Sequence, residues 1–313
     1  MRIAVDSVTV VEVGPRDGLQ NEPVTVPTEA KVAFITALSD AGLRIIEAGA
    51  FVSPKWVPQM ADTAEVYREI PKDPGVDYPV LVPNMRGLER AIDAGVKSIA
   101  IFTAASDTFN RRNINMSIDE SFDNYAPVAA RALREGMRIR GYVSTAFGCP
   151  YEGEVAPEKV LEVCARLLDL GCWQVSVGDT IGVGTPLQVQ GVIGVLLQAI
   201  PAERLAMHFH DTRGTALANT LASLEMGIAT FDASAGGLGG CPYAPGASGN
   251  LATEDLVYML EGMGIETGVR LDRLVAASQI IAPHLDHPLP GRYFNSRLSP
   301  LRPRVPPAPT AVQ

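Results

Sequence analysis

The sequence is poor in the features that mark several large protein classes. No stretch approaches the roughly 20 continuous apolar residues needed to cross a bilayer, so no membrane partner is expected. No secretory leader core precedes the strand-like run that begins near Ser7, and no Arg-rich transit segment precedes Val8. The last four residues, Thr310 to Gln313, do not form a peroxisomal address, and a cytoplasmic location is the expectation. No run of basic residues exceeds the pair Arg111-Arg112, and 26 Lys and Arg against 35 Asp and Glu leave a net charge of −9. Nucleic acid is therefore not an expected partner. The four cysteines, Cys149, Cys164, Cys172 and Cys241, lack C-x-x-C spacing, which argues against a zinc ribbon or a redox dithiol. A Gly-x-Gly-x-x-Gly turn is missing after the first strand-like run, where Val13-Gly-Pro-Arg-Asp-Gly18 stands instead, and this argues against an open dinucleotide-binding sheet.

What is present is the composition of a compact enzyme, with 47% hydrophobic and 19% charged residues. Short β-branched runs alternate with amphipathic segments along most of the 313 residues. Strands are predicted at 7–13, 43–48, 79–82, 98–102, 139–146, 173–177, 205–209 and 229–233, and a first helix at 27–41. Thr185-Pro186 and Thr253 are predicted to start two later helices. Eight strands separated by helices imply parallel pairing and closure into an α/β (β/α)8 TIM barrel, here with a glycine-rich active-site loop. The barrel is expected over 1–285, and the proline-rich segment 286–313 is read as an extended or disordered tail. Trp56 and Trp173 are read as packing residues.

The chemistry is expected at the carboxyl ends of the strands. His208 and His210 stand two apart in the apolar run Leu205 to Asp211, so a strand turns both imidazoles to one face, where a divalent cation satisfies both. The other strand ends carry Arg16 and Asp17, Glu47, Asp179, and then the loop from Gly236 to Asn250 with Cys241 inside it. Glycine in that loop suits a flap that closes over substrate.

Taken together these residues resemble the 3-hydroxy-3-methylglutaryl-CoA lyases of the Asp-Arg-Glu barrel metallolyase superfamily. The resemblance spans about residues 11 to 268. It rests on the motif from Val11 to Glu22, on Phe51-Val-Ser-Pro-Lys-Trp-Val-Pro-Gln-Met60, on Asn113-Ile-Asn115, on Gly178-Asp-Thr-Ile-Gly-Val-Gly-Thr185 and on the loop Gly240 to Asn250. It implies a divalent cation, Mg²⁺ or Mn²⁺, held by Asp17, His208, His210 and Asn250, with Zn²⁺, Fe²⁺ and Co²⁺ also compatible with these ligands. It implies cleavage of an acyl-CoA substrate to acetyl-CoA and a 3-oxo acid such as acetoacetate. His208 or Asp17 would take the hydroxyl proton, Arg16 would stabilise the enolate, and Cys241 would protonate it. Glu47 and Asp179 would orient Arg16 or the metal ligands, Glu254 would steady the flap through Asn250 or its neighbours, and Arg111, Arg112 and Asn113 would meet the CoA phosphates. A homo-oligomer is also expected. A condensing synthase that joins acetyl-CoA to a 2-oxo acid is the alternative within the superfamily. Family members usually carry Lys where Pro23 stands, Ser where Ala50 stands, and Asp-Thr-Tyr-Gly-Gln where Asp211-Thr-Arg-Gly-Thr215 stands, so the 3-substituent of the substrate stays open.

Overall fold

A computed structural model describes residue 3, residues 5–240 and residues 249–298. Strand Thr9–Glu12 lies parallel to Ile45–Ile46 on one side and to Thr230–Ala233 on the other. From Thr230–Ala233 the pairing runs back through Leu205–Phe209, Gln174–Asp179, Arg138–Ser144, Ser98–Ala104 and Val80–Leu81 to Gly49–Ala50, parallel throughout. The two ends of this row are halves of one strand, interrupted at Glu47 and Ala48. Glu47 N donates to Glu12 O at 2.9 Å, whereas Ala48 N donates to Pro79 O at 2.9 Å, so the split strand bonds to both neighbours and closes the ring. The eight expected strands are all found; the second is divided.

Strands buried on both faces read as near-continuous apolar runs, and all five residues of Leu205–Phe209 are buried. Polar exceptions occur at a spacing of two, as in Arg140 and Tyr142, Gln174 and Ser176, and Thr230 and Asp232, all of them buried. A period of two aims each pair at the barrel interior rather than at the surrounding helices.

Three expectations need correction. The helix starts at Thr253, but Thr253 is not its N-cap: Ala252 takes that position before helix Thr253–Gly262, and the Thr253 hydroxyl donates to Glu12 Oε2 at 2.7 Å. The segment from 286 is not extended in its described part, because Arg292–Leu298 forms a helix and Leu289 and Phe294 are each only 2% exposed. Its prolines, Pro288 and Pro290, precede that helix and leave residues 291 to 298 free to coil. Residues 299–313 lie outside the described residues. Trp56 is 82% exposed and so packs little, while Trp173 is partly covered by the Arg138 guanidinium 4.3 Å above its ring.

Candidate metal centre and active site

The loop after the first strand, Gly14–Gly18, is wound into a short π-helical turn that presents Arg16 and Asp17 to the mouth. Gly14 N donates to Glu12 Oε1 at 2.8 Å, so the turn is fixed from below by a buried carboxylate. Asp17, His208 and His210 come together there: one ligand atom from each lies within 4.8 Å of the others. Asn250 joins them across a backbone bridge to His210, and its Nδ2 donates to Asp17 Oδ2 at 3.0 Å. The four residues named from the sequence for the cation thus occupy one place.

The donor set fits a hard divalent cation. Two buried atoms in this cluster, His210 Nδ1 and Asn250 Oδ1, have no hydrogen-bond partner among the described residues. Buried polar atoms are seldom left so, and a cation or its water shell would complete them. Burial, with the nearby His208, holds the His210 pKa down at about 4, so the ring is neutral and ready to ligate at neutral pH. Burial pushes Asp17 upward, but the Arg16 guanidinium and the two imidazoles outweigh it and leave the carboxyl well below the usual range. Burial also pulls His208 down, yet the hydrogen bond and charge of Asp232 and the charge of Asp17 raise it overall.

Behind the cluster runs a buried chain of charged and polar groups. Arg16 Nη1 donates to Asp17 Oδ1 at 2.6 Å, while its Nε and Nη2 each reach Glu47 Oε2 at 2.7 Å. Glu47 Oε1 accepts the Tyr142 hydroxyl at 2.7 Å, and Tyr142 in turn accepts from Arg140 Nη1 at 2.6 Å. Arg140 forks onto Asp232, at 2.7 Å and 3.3 Å, and Asp232 Oδ2 lies 3.3 Å from His208 Nδ1. Ser176 adds a donor to the same oxygen at 2.6 Å. The chain begins at one residue of the candidate metal cluster and ends at another, so Asp17 and His208 are oriented by a single network.

Sequence reasoning named Glu47 but missed Tyr142, Arg140 and Asp232. Their signal was available, as lone polar residues at alternate positions inside apolar strands. Asp179 differs from expectation: it does not bond to Arg16 or to a metal ligand, and accepts instead from Val183 N at 3.0 Å and Gly184 N at 2.9 Å. It fixes the turn that leaves the sixth strand. Glu254 likewise holds Gly236 N at 2.7 Å and the Ser278 hydroxyl at 2.5 Å rather than Asn250. Burial raises its pKa to about 7.

The two stems of the glycine-rich loop meet backbone to backbone. Gly249 N donates to Gly239 O at 3.1 Å, and a Cβ on Gly249 would stand 2.4 Å from that oxygen. Gly239 has φ of 111° and faces Gly18, where a Cβ would come within 3.0 Å of Cα. Glycine is required at both places. Cys241 lies outside the described residues. Arg111, Arg112 and Asn113 sit on helix Asp107–Ile114, all exposed. Arg111 is engaged by Asp107 at 2.7 Å and Glu120 at 3.5 Å, whereas Arg112 stacks 4.2 Å over the Tyr151 ring.

A closed parallel barrel with an Asp-His-His cluster and a buried arginine at its carboxyl-end mouth defines a barrel enzyme built around a candidate divalent-metal centre. Comparison with known proteins narrows the class. The HMGL-like family model matches residues 7–281. Mitochondrial hydroxymethylglutaryl-CoA lyase of Bos taurus is 56% identical over 279 residues, which is 89% of this chain and 86% of that protein. Cytoplasmic 3-hydroxy-3-methylglutaryl-CoA lyase of Rattus norvegicus is 55% identical over 274 residues, 88% of this chain and 80% of that one. The crystal structure of hydroxymethylglutaryl-CoA lyase from Pseudomonas aeruginosa superimposes with a TM-score of 0.93 at 50% identity, covering 95% of this chain and 99% of that one. An HMG-CoA lyase from Acinetobacter baumannii, solved in complex with coenzyme A and 3-methylmalate, gives 0.90 at 41% identity over 97% and 99% of the two chains. The chain belongs to the HMGL-like family and is a lyase of that family.

Proposed function

We propose that this protein cleaves 3-hydroxy-3-methylglutaryl-CoA, or a relative with another 3-substituent, to acetyl-CoA and acetoacetate or the corresponding 3-oxo acid. The observation that carries the reading is the gathering of Asp17, His208, His210 and Asn250 at one mouth, with two buried atoms among them that find no partner among the described residues. These four residues would hold Mg²⁺ or Mn²⁺. When bound, the cation would supply Lewis acidity, lowering the pKa of the substrate's tertiary hydroxyl.

The residues then divide the remaining work. Of the two candidates for taking the hydroxyl proton, His208 has Asp232 at its Nδ1 to stabilise an imidazolium and would act with its Nε2 turned to the substrate rather than to the cation, whereas Arg16 and Asn250 engage both oxygens of Asp17. Loss of the hydroxyl proton leaves on oxygen an electron pair that forms the new carbonyl of the 3-oxo acid. The carbon–carbon bond breaks and its electron pair passes to the thioester as an enolate. Arg16, fixed in orientation by Glu47, offers a permanent positive charge to that oxygen. The Cys241 thiol delivers the proton that turns the enolate carbon into the methyl group of acetyl-CoA.

Arg111, Arg112 and Asn113 are assigned to the CoA phosphates, with Arg112 the better placed of the two arginines because two carboxylates already engage Arg111. We place the reaction in the cytoplasm, in keeping with the free, buried thiols of Cys149, Cys164 and Cys172. Cell fractionation checks this. We also propose a homo-oligomer, read by light scattering. Purified protein mixed with the acyl-CoA and Mn²⁺ should release acetyl-CoA and the 3-oxo acid, and chelation should abolish release. Free CoA appearing from acetyl-CoA only with a 2-oxo acid would point instead to a condensing synthase.

A further inference from the structure

The family match ends at residue 281, yet the chain beyond it returns to the site. His287 Nε2 lies 2.8 Å from Glu22 Oε2, in the loop that follows Asp17. Leu289 and Gly291 press on Gly236: a Cβ there would meet Leu289 at 2.5 Å, and Gly291 N donates to Gly236 O at 2.8 Å. Asp255 accepts Arg292 N at 3.1 Å and Tyr293 N at 2.6 Å. Finally Arg292 Nη1 donates to Asp211 Oδ2 at 2.6 Å.

Each anchor lies on a segment that carries a proposed metal ligand. Glu22 follows Asp17 in the loop of the first strand. Gly236 and Asp255 flank Asn250. Asp211 adjoins His210, its N donates to Gly249 O at 2.7 Å, and its Oδ1 caps the next helix through Ala216 N at 3.1 Å. Asp211 therefore joins the strand bearing the two histidines to the stem bearing Asn250, and Arg292 holds Asp211 in place. Asp211, Asn250, Asp255, Pro290 and Arg292 also line a cavity of about 90 Å³, so this stretch has room to shift if Arg292 lets go.

We infer that residues 286–293 form a strap that sets the spacing of the metal-holding side chains, with Arg292 as a positioning residue acting through Asp211. The inference rests on the metal reading above. It is tested on the full chain by Mn²⁺ titration, followed by electron paramagnetic resonance, beside the melting temperature of the metal-free protein. Arg292→Ala should weaken Mn²⁺ binding about tenfold, the scale of partners that orient ligands. Its metal-free melting temperature should stay close to wild type, because the Arg292 side chain is 67% exposed. Arg292→Lys, which keeps the charge, should recover most of the affinity, and His287→Ala, which frees the other end, should weaken binding in the same direction. In an Asp211→Asn background the Arg292→Ala loss should largely vanish. Wild-type affinity in both Arg292→Ala and His287→Ala, or an undiminished loss in the Asp211→Asn background, overturns the strap. Failure of the wild-type protein to bind Mn²⁺ would instead overturn the metal reading, and the strap with it.

Discussion

Replacing Asp232 with Asn tests the buried network at its most loaded point. The carboxylate is fully buried and accepts from Arg140 twice, from Ser176 and from His208. Burial alone would raise its pKa, but Arg140 and His208 hold it down to about 2. A carboxyl at 2 in the folded chain and about 3.9 unfolded stabilises the fold by about 2 to 3 kcal/mol at pH 7. The sign follows from the depressed value. The stabilisation is complete above the unfolded pKa and is lost as pH falls from about 4 toward 2. Breaking a buried pair costs about 3–5 kcal/mol when the remaining charge is stranded, and Arg140 is only 1% exposed. The two estimates agree on roughly 3 kcal/mol, or a drop in melting temperature of about 5 °C for a chain of this size. Denaturant unfolding at pH 7 and pH 3 measures it: the variant's deficit should be large at pH 7 and about halved at pH 3. His208 loses the partner that raises it, so the acid limb of the activity profile should move to lower pH. A deficit below 1 kcal/mol at pH 7, or an unmoved acid limb, would refute the coupling of Asp232 to His208.

Other consequences are simpler to read. Arg16→Lys keeps the charge but loses the fork between Asp17 and Glu47, so acetyl-CoA release should fall about 10²- to 10³-fold with a smaller change in KM, measured by steady-state kinetics. Cys241→Ser should bind the acyl-CoA as tightly as wild type, by calorimetry, yet turn over at least about 10²-fold more slowly; unchanged turnover removes Cys241 as the acid. Arg112→Ala should raise KM about fivefold for the CoA thioester and leave kcat in place, and should have no effect on a substrate truncated to the pantetheine thioester.

The barrel was legible because parallel strands buried on both faces leave long apolar runs, and eight of these alternate with helical patterns. The gathering of Asp17, His208, His210 and Asn250 was legible because the two histidines stand two apart, and because the Arg16-Asp17 motif and Asn250 sit at strand ends. The orienting network was not. Arg140, Tyr142 and Asp232 lie on three residues' worth of two strands, and nothing along the sequence says that positions 92 apart share one guanidinium. The role of Asp179 was misread because a carboxylate at a strand end looks alike whether it grips a backbone amide or an arginine, whereas Glu254 does anchor the glycine loop, at Gly236 rather than beside Asn250. The segment after 286 was misread because proline content masked the short helix behind it.

The touching stems at Gly239 and Gly249 carry a consequence for how this enzyme diverges. Main-chain bonds from Gly249 N to Gly239 O and from Asp211 N to Gly249 O fix the two stems whatever sequence joins them. The joining sequence can therefore lengthen around Cys241 while Asp17, the histidines and Asn250 keep their register. Selection for a bulkier acyl chain therefore has a place to act that does not disturb the candidate metal cluster, provided Gly239 and Gly249 survive.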